Sequence, residues 1–207
     1  MEDSKNKRIV GVLCLAAGQA SRMGRPKQLL SWKGKPLLGH ALETALHVAR
    51  PGACVVVGGA YPEEIEAVAA GYPGVQTVRN PDWATGMGSS IACGVRALLA
   101  STPTLDGILI MLADQPLVQI AQVEALLQAW ESTGADFVAA HYEGQPGVPA
   151  LFSASLFPSL LGLQGQAGAK ALFKNPALQG VLLPLPEAAC DLDTPEEWER
   201  FLQKYGA

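Results

Sequence analysis

Residues 9–27 read Ile9-Val10-Gly11-Val12-Leu13-Cys14-Leu15-Ala16-Ala17-Gly18-Gln19-Ala20-Ser21-Arg22-Met23-Gly24-Arg25-Pro26-Lys27. The run Ile9–Leu15 is apolar without polar alternation, the pattern of a strand buried on both faces inside a parallel sheet. The stretch after it changes character: glycines at Gly18 and Gly24, basic residues at Arg22, Arg25 and Lys27, and no acid. Small side chains at Ala16, Ala17 and Gly18 let the backbone approach a ligand closely, so main-chain N–H groups can face phosphate oxygens while Arg22 and Lys27 supply charge. The alternative is a flexible, solvated loop. A Walker A loop is excluded, because five residues on from Gly18 stands Met23 where that motif needs glycine.

Outward from this stretch, strand-length apolar runs alternate with helical periods. Ala53–Val57, Val75–Val78, Gly107–Leu112, Phe137–Ala140 and Val181–Leu185 read as further strands. Leu38, Ala41, Leu42, Ala45, Leu46 and Ala49 follow the spacing of a buried helix face, as do Ile120, Val123, Leu126, Leu127 and Trp130. Thr194 and Glu197 form a T-x-x-E capping box with Pro195 at the first helical position, ahead of inward-facing Trp198, Phe201, Leu202 and Tyr205. Strands each followed by a helix predict a three-layer α/β/α, Rossmann-like domain with a mostly parallel sheet. Ligands in such sheets bind beyond the carboxyl ends of the strands, which directs attention to the loops after Leu15, Val78 and Leu112.

At roughly 150 residues per domain, 207 residues favour one domain over 1–207, with the polar start 1–7 expected to be flexible. The formal net charge of −4 provides no basic field for a nucleic acid polymer or an anionic membrane. No apolar run approaches the roughly 20 residues of a spanning helix. Cys14, Cys54, Cys93 and Cys190 are widely spaced, with no C-x-x-C and no zinc-like Cys/His cluster. These features predict reduced thiols and a cytoplasmic protein.

Three further constellations could carry chemistry. Asp114 follows the strand Gly107–Leu112 and precedes Pro116, which puts a carboxylate at the ligand edge of the sheet, where Mg²⁺ would suit it; a turn-forming Asp is the other reading. Asp193 immediately precedes the Thr194 cap, so a favourable charge at a helix N-terminus explains it as fully as a metal does. Gly86-Met87-Gly88-Ser89-Ser90-Ile91 opens a helix towards Leu99, and its N–H groups with the Ser89 and Ser90 hydroxyls could bond a base, ribose or phosphate, or simply cap the helix. It fails as a dinucleotide fingerprint because it ends in Ile, and as a hydrolase elbow because the loop Asn80-Pro81-Asp82-Trp83, rather than a strand, precedes it.

The run LAAGQASRMGRPKQLL resembles the signature of the MobA-like nucleotidyltransferases. Its Ala-Ala-Gly and Pro-Lys forms resemble the molybdenum cofactor cytidylyltransferase branch, where the guanylyltransferase branch usually shows Ala-Gly-Gly and Asp-Lys. Further matches follow in order: Asn80-Pro81-Asp82-Trp83 with Gly86–Ile91, Leu112-Ala113-Asp114-Gln115-Pro116, Gly147-Val148-Pro149, and Asp191-Leu192-Asp193-Thr194-Pro195. One departure stands out: Gly165-Gln166-Ala167-Gly168-Ala169-Lys170 occupies the place of a common Gly-Asp-x-Gly-Ala-Arg, so Gln166 replaces a carboxylate.

The resemblance implies an Mg²⁺-dependent transfer of a nucleoside monophosphate from a nucleoside triphosphate, CTP by preference, to the phosphate of a molybdopterin-type cofactor, with release of pyrophosphate. It assigns catalysis to Lys27 and Arg22. Nucleotide binding falls to Leu15, Ala16, Ala17, Gly18, Arg22, Lys27, Gly86, Ser89 and Ser90, and metal binding to Asp114 with Asp193 or its neighbour Asp191. A molybdoenzyme or its chaperone is the implied partner. Two other readings stay open: another phosphorylated acceptor, such as a sugar or polyol phosphate, and a non-catalytic nucleotide- or cofactor-binding module.

Overall fold

The structure, a computed structural model, describes residues 8–19, 23–166, 168–190 and 192–206. Arg22, Asp191 and the start 1–7 lie outside the described residues. In chain order the elements are β1 (Val10–Ala16), a 3₁₀ turn at Lys27–Leu29, the short pair β2 (Ser31–Trp32) and β3 (Lys35–Pro36), α1 (Leu37–Val48), β4 (Cys54–Gly58), α2 (Pro62–Ala69) and β5 (Val75–Arg79). Then follow α3 (Met87–Ser101), β6 (Gly107–Leu112), α4 (Ile120–Thr133), β7 (Phe137–Tyr142), β8 (Gln145–Ser153), α5 (Phe157–Leu161), α6 (Lys170–Phe173), β9 (Gly180–Pro184) and α7 (Pro195–Tyr205).

Seven strands form one sheet in the order β5-β4-β1-β6-β8-β7-β9, parallel except where β8 runs antiparallel to both β6 and β7. Every residue of β1 is buried. Because successive side chains alternate across a sheet, Leu13 and Leu15 join Val55, Val57, Ile108, Ile110, Ile91, Val95 and Leu98 beneath α3. Val10, Val12, Cys14 and Ala16 face the other way, towards residues of α1, α2 and α4. This is the expected three-layer α/β/α arrangement, and it puts the ends of β1 and β6 side by side, Leu15 being in register with Leu112.

The strand read from Val181 to Leu185 is an edge strand whose residues alternate between exposed and half-buried, instead of being buried on both faces. The stretch Gln145–Ser153 was not expected to be a strand. Its two prolines and one glycine argue against a central strand, yet β8 pairs on both sides, with a register shift against β7 between Ala139 and Ala140.

The capping box of α7 is present. Thr194 Oγ1 accepts from Glu197 N at 3.3 Å, and Glu197 Oε2 accepts from Thr194 N at 2.9 Å and from Asp193 N at 2.8 Å. Thr194 therefore caps the helix, and the same carboxylate of Glu197 anchors the backbone of Asp193. No described helix is long and apolar enough to cross a membrane, and none of the four cysteines forms a disulfide among the described residues.

Candidate active site

A cavity of about 510 Å³ opens at the carboxyl ends of β1 and β6. Leu15, Ala16, Ala17, Gly18, Lys27, Gly86, Ser90, Asp114 and Asp193 all line it, so the structure brings together all but one of the described residues singled out from the sequence. Ser89 is the exception. Its hydroxyl donates to the carbonyls of Asp82 at 3.0 Å and Gly86 at 2.9 Å and lies outside the cavity wall. Ser90 is 4% exposed, and its oxygen accepts from Asn80 Nδ2 at 3.0 Å. Buried Asn80 also donates to Ser89 Oγ and accepts from Asp82 N, which ties the loop after β5 to the start of α3.

The carbonyls of the loop after β1 are held by other elements. Leu15 O accepts from Ala113 N at 3.1 Å, Ala17 O from Ala60 N at 3.2 Å, and Gln19 O from the Tyr61 hydroxyl at 3.0 Å. Ala16 O and Gly18 O accept from Gln28 Nε2 at 3.1 and 3.4 Å. Among the described residues, the amides of Ala17, Gly18 and Gln19 have no protein acceptor. Backbone amides along a cavity wall with their carbonyls turned away make an anion-binding surface.

Lys27 leads its 3₁₀ turn and is 17% exposed at its side chain. Its Nζ lies 2.8 Å from an Asp114 carboxylate oxygen and also bonds Asp193. Asp193 lines the cavity and bonds Lys27, while the Thr194 side chain does the capping. Among the described residues no cluster of three or more His, Cys, Asp or Glu forms a protein-only metal cage. Two carboxylates facing this cavity are nonetheless a donor set that fits a hard divalent cation, which takes one or two protein carboxylates and fills the rest of its shell with phosphate oxygens and waters.

The N-terminus of α3 is not wholly open to a ligand. Gly88 N donates to Gly165 O at 2.9 Å, so one amide expected to face the nucleotide instead docks the loop that carries Gln166. A Cβ at Gly86, whose φ is +130°, would lie 2.5 Å from the Gly165 carbonyl, and one at Gly88 would lie 2.8 Å from that of Gln164. These two glycines are there for backbone contact between loops. Gln166 reaches the cavity as a result, at the place where the resemblance leads one to expect a carboxylate.

The profile of the MobA-like NTP transferase domain matches residues 12–181. The chain belongs to this family. Purine catabolism protein PucB of Bacillus subtilis (strain 168) is 32% identical over 200 residues, covering 92% of this chain and 94% of PucB. Nicotine blue oxidoreductase of Paenarthrobacter nicotinovorans is 33% identical, covering 98% of this MobA-like chain and all of that protein (100%). Among solved structures, Rv0371c of Mycobacterium tuberculosis H37Rv in complex with manganese superposes with a TM-score of 0.68 at 27% identity, over 95% of this chain and 98% of its own.

Sequence reasoning quoted Gln28, Asn80 and Gln115 within motifs but gave none of them a role of its own. Gln115, 8% exposed, donates to Ala188 O at 2.9 Å and Val148 O at 3.2 Å, fixing the chain immediately after Asp114. Gln115 acts through contacts far along the chain, whereas Gln28 and Asn80 act through the amides they turn onto neighbouring loops, and residue type alone carries no signal for either. The apolar cavity lining of Trp83, Ala84 and Met87 was likewise not singled out.

Proposed function

We propose that this MobA-like nucleotidyltransferase, a single domain over 1–207, transfers CMP from CTP to the phosphate of a molybdopterin-type cofactor and releases pyrophosphate. The product would pass to a molybdoenzyme or its chaperone. The observation that carries the reading is the placement of Lys27 between Asp114 and Asp193, in a cavity whose first loop presents amides without protein acceptors.

In this reading the amides of Ala17, Gly18 and Gln19 hold the triphosphate, and Lys27 exchanges its carboxylate partners for phosphate oxygens. Its charge then stabilises the transferring and leaving groups, with Arg22 sharing that load as the resemblance implies. Asp114 and Asp193 would hold Mg²⁺, which when bound supplies neutralisation of phosphate charge. The acceptor phosphate is already ionised, so the residues need only bring it in line with the α-phosphorus; no general base is required. Ser90, polarised by Asn80, offers its O–H to the nucleoside.

The preference for CTP rests on Ala17 and Pro26. Ala17 lines the cavity, and its methyl is packed against Gly59, where an added Cβ would lie 2.8 Å from it. Its methyl is therefore a fixed wall where the guanylyltransferase pattern has glycine, and a fixed methyl discriminates by clash. Pro26 offers no side-chain acceptor to guanine N–H groups. A panel of CTP, GTP and ATP with molybdopterin-type, sugar and polyol phosphates, read by pyrophosphate release, tests the proposal. The expected result is the highest kcat/KM for CTP with the molybdopterin-type acceptor. Pyrophosphate release with another acceptor would transfer the activity to that substrate. If no pair in the panel releases pyrophosphate, transfer is excluded, and the readings left are a non-catalytic nucleotide- or cofactor-binding module and, from the likeness to nicotine blue oxidoreductase, oxidoreduction.

A further inference from the structure

We infer that Gln28 is the positioning residue of the nucleotide loop, setting the direction of the amides that receive the triphosphate; this rests on the nucleotide reading above. A peptide group is planar and trans, so the carbonyl of one residue and the N–H of the next point in opposite directions. Whatever holds a carbonyl therefore aims the following amide. Ala60 N holds Ala17 O and so aims the Gly18 amide. Gln28 Nε2 holds Ala16 O at 3.1 Å and Gly18 O at 3.4 Å, and so aims the amides of Ala17 and Gln19. One side chain bonds the carbonyls that precede two of the three amides, adding at Ala16 to the pairing of β1 with β4.

Three properties make Gln28 suited to this work. It is 4% exposed, so its bonds to the loop are largely shielded from competing water. Both of its partners are carbonyl oxygens, which only the NH₂ end of an amide can serve. It also shares the turn Lys27–Leu29 with Lys27, a turn closed by Leu29 N to Pro26 O and Leu30 N to Lys27 O. The backbone that carries the cation and the backbone that carries the brace of the amide loop are thus one hydrogen-bonded turn.

The test uses Gln28→Met, which keeps the size and removes both donors, and Gln28→Asn, which keeps the amide but is one methylene too short to span both carbonyls. CTP and inorganic pyrophosphate, each with Mg²⁺, serve as calorimetric probes, and steady-state kinetics are followed with the acceptor. Both variants should raise Kd for both probes, and KM for CTP, by about tenfold, while kcat at saturating CTP falls less than about threefold, because Lys27 keeps its place. A merely structural role for Gln28 would lower the melting temperature and the active fraction, and hence kcat, with KM unchanged. If Gln28→Met does not fold, Gln28→Asn carries the same reading. Folded variants that bind as tightly as the wild type overturn the assignment alone. A wild type that binds neither CTP nor pyrophosphate overturns the nucleotide reading and the assignment with it.

Discussion

Lys27 Nζ stands 2.8 Å from the Asp114 carboxylate, joining the loop that leaves β1 to the loop that leaves β6. The two strands are parallel neighbours, and Leu15, one residue before the end of β1, faces Leu112, the last residue of β6. The cation and the carboxylate therefore meet because two adjacent strands stop at about the same height, and Asp193 reaches the pair from the N-terminus of α7.

Replacing Lys27 by Met removes the ammonium that bonds both Asp114 and Asp193. Turnover should fall by about 10² or more, since one preorganised charged contact to a transition state is worth roughly 3 kcal/mol. The melting temperature should fall only by about 2–4 °C, corresponding to about 1 kcal/mol in a chain of this size. Steady-state kinetics alongside calorimetric melting check both. Turnover within about threefold of the wild type would remove Lys27 from the chemistry.

Asp114→Asn keeps the shape of the side chain and removes its charge, while Lys27 retains Asp193. Metal-dependent turnover should drop by about 10² or more at millimolar Mg²⁺ and recover in part as Mg²⁺ is raised, because a weakened site still fills by mass action. A magnesium titration that superimposes on that of the wild type would mean that Asp114 does not hold the cation.

Gly88→Ala places a methyl 2.8 Å from the Gln164 carbonyl, and backbone cannot swing aside as a flexible side chain does. The docked loop must lift, at a cost of about 1–3 kcal/mol typical of overpacking. Urea unfolding should show that loss of stability. KM for the nucleotide should rise too, because Gln166 retreats from the cavity. Unchanged stability would show that the loop is not clamped on α3.

Burial pushes the thiols of Cys14 and Cys54 up, Cys54 to about 12 and Cys14 further, helped by its neighbour Cys54 and by Asp114. The folded protein thus keeps protons that the unfolded chain releases above its ordinary thiol value of 9.0. Raising the pH from 9 towards 12 favours the unfolded state, by up to about 1.4 kcal/mol per pH unit for each thiol. Unfolding free energies at pH 8 and 10.5 should fall less steeply in Cys14→Ala and Cys54→Ala than in the wild type. Equal slopes in all three proteins would contradict the burial account.

The parts of the fold written in local pattern were legible before the structure. A doubly buried β1, the amphipathic α1 and α4, and the Thr194–Glu197 box each declare themselves within a few residues. The central place of β8 did not, because Pro146, Gly147 and Pro149 argue locally for a turn and only pairing with β6 and β7 overrides them. The site divides in the same way. Lys27, Asp114 and Ser90 stand out as residue types at strand or helix ends. Gln28 and Asn80 matter through what their amides touch, and the hydroxyl of Ser89 is taken up by the carbonyls of Asp82 and Gly86.

The most direct measurement follows label from [α-³²P]CTP in the presence of Mg²⁺ and the molybdopterin-type acceptor, with pyrophosphate counted in parallel. The account predicts one pyrophosphate released for each labelled phosphate transferred to the acceptor, a higher rate with CTP than with GTP, and loss of both signals in Lys27→Met and Asp114→Asn. Label that never leaves CTP while the protein is folded and acceptor is present, or transfer that proceeds equally well in both variants, would contradict it.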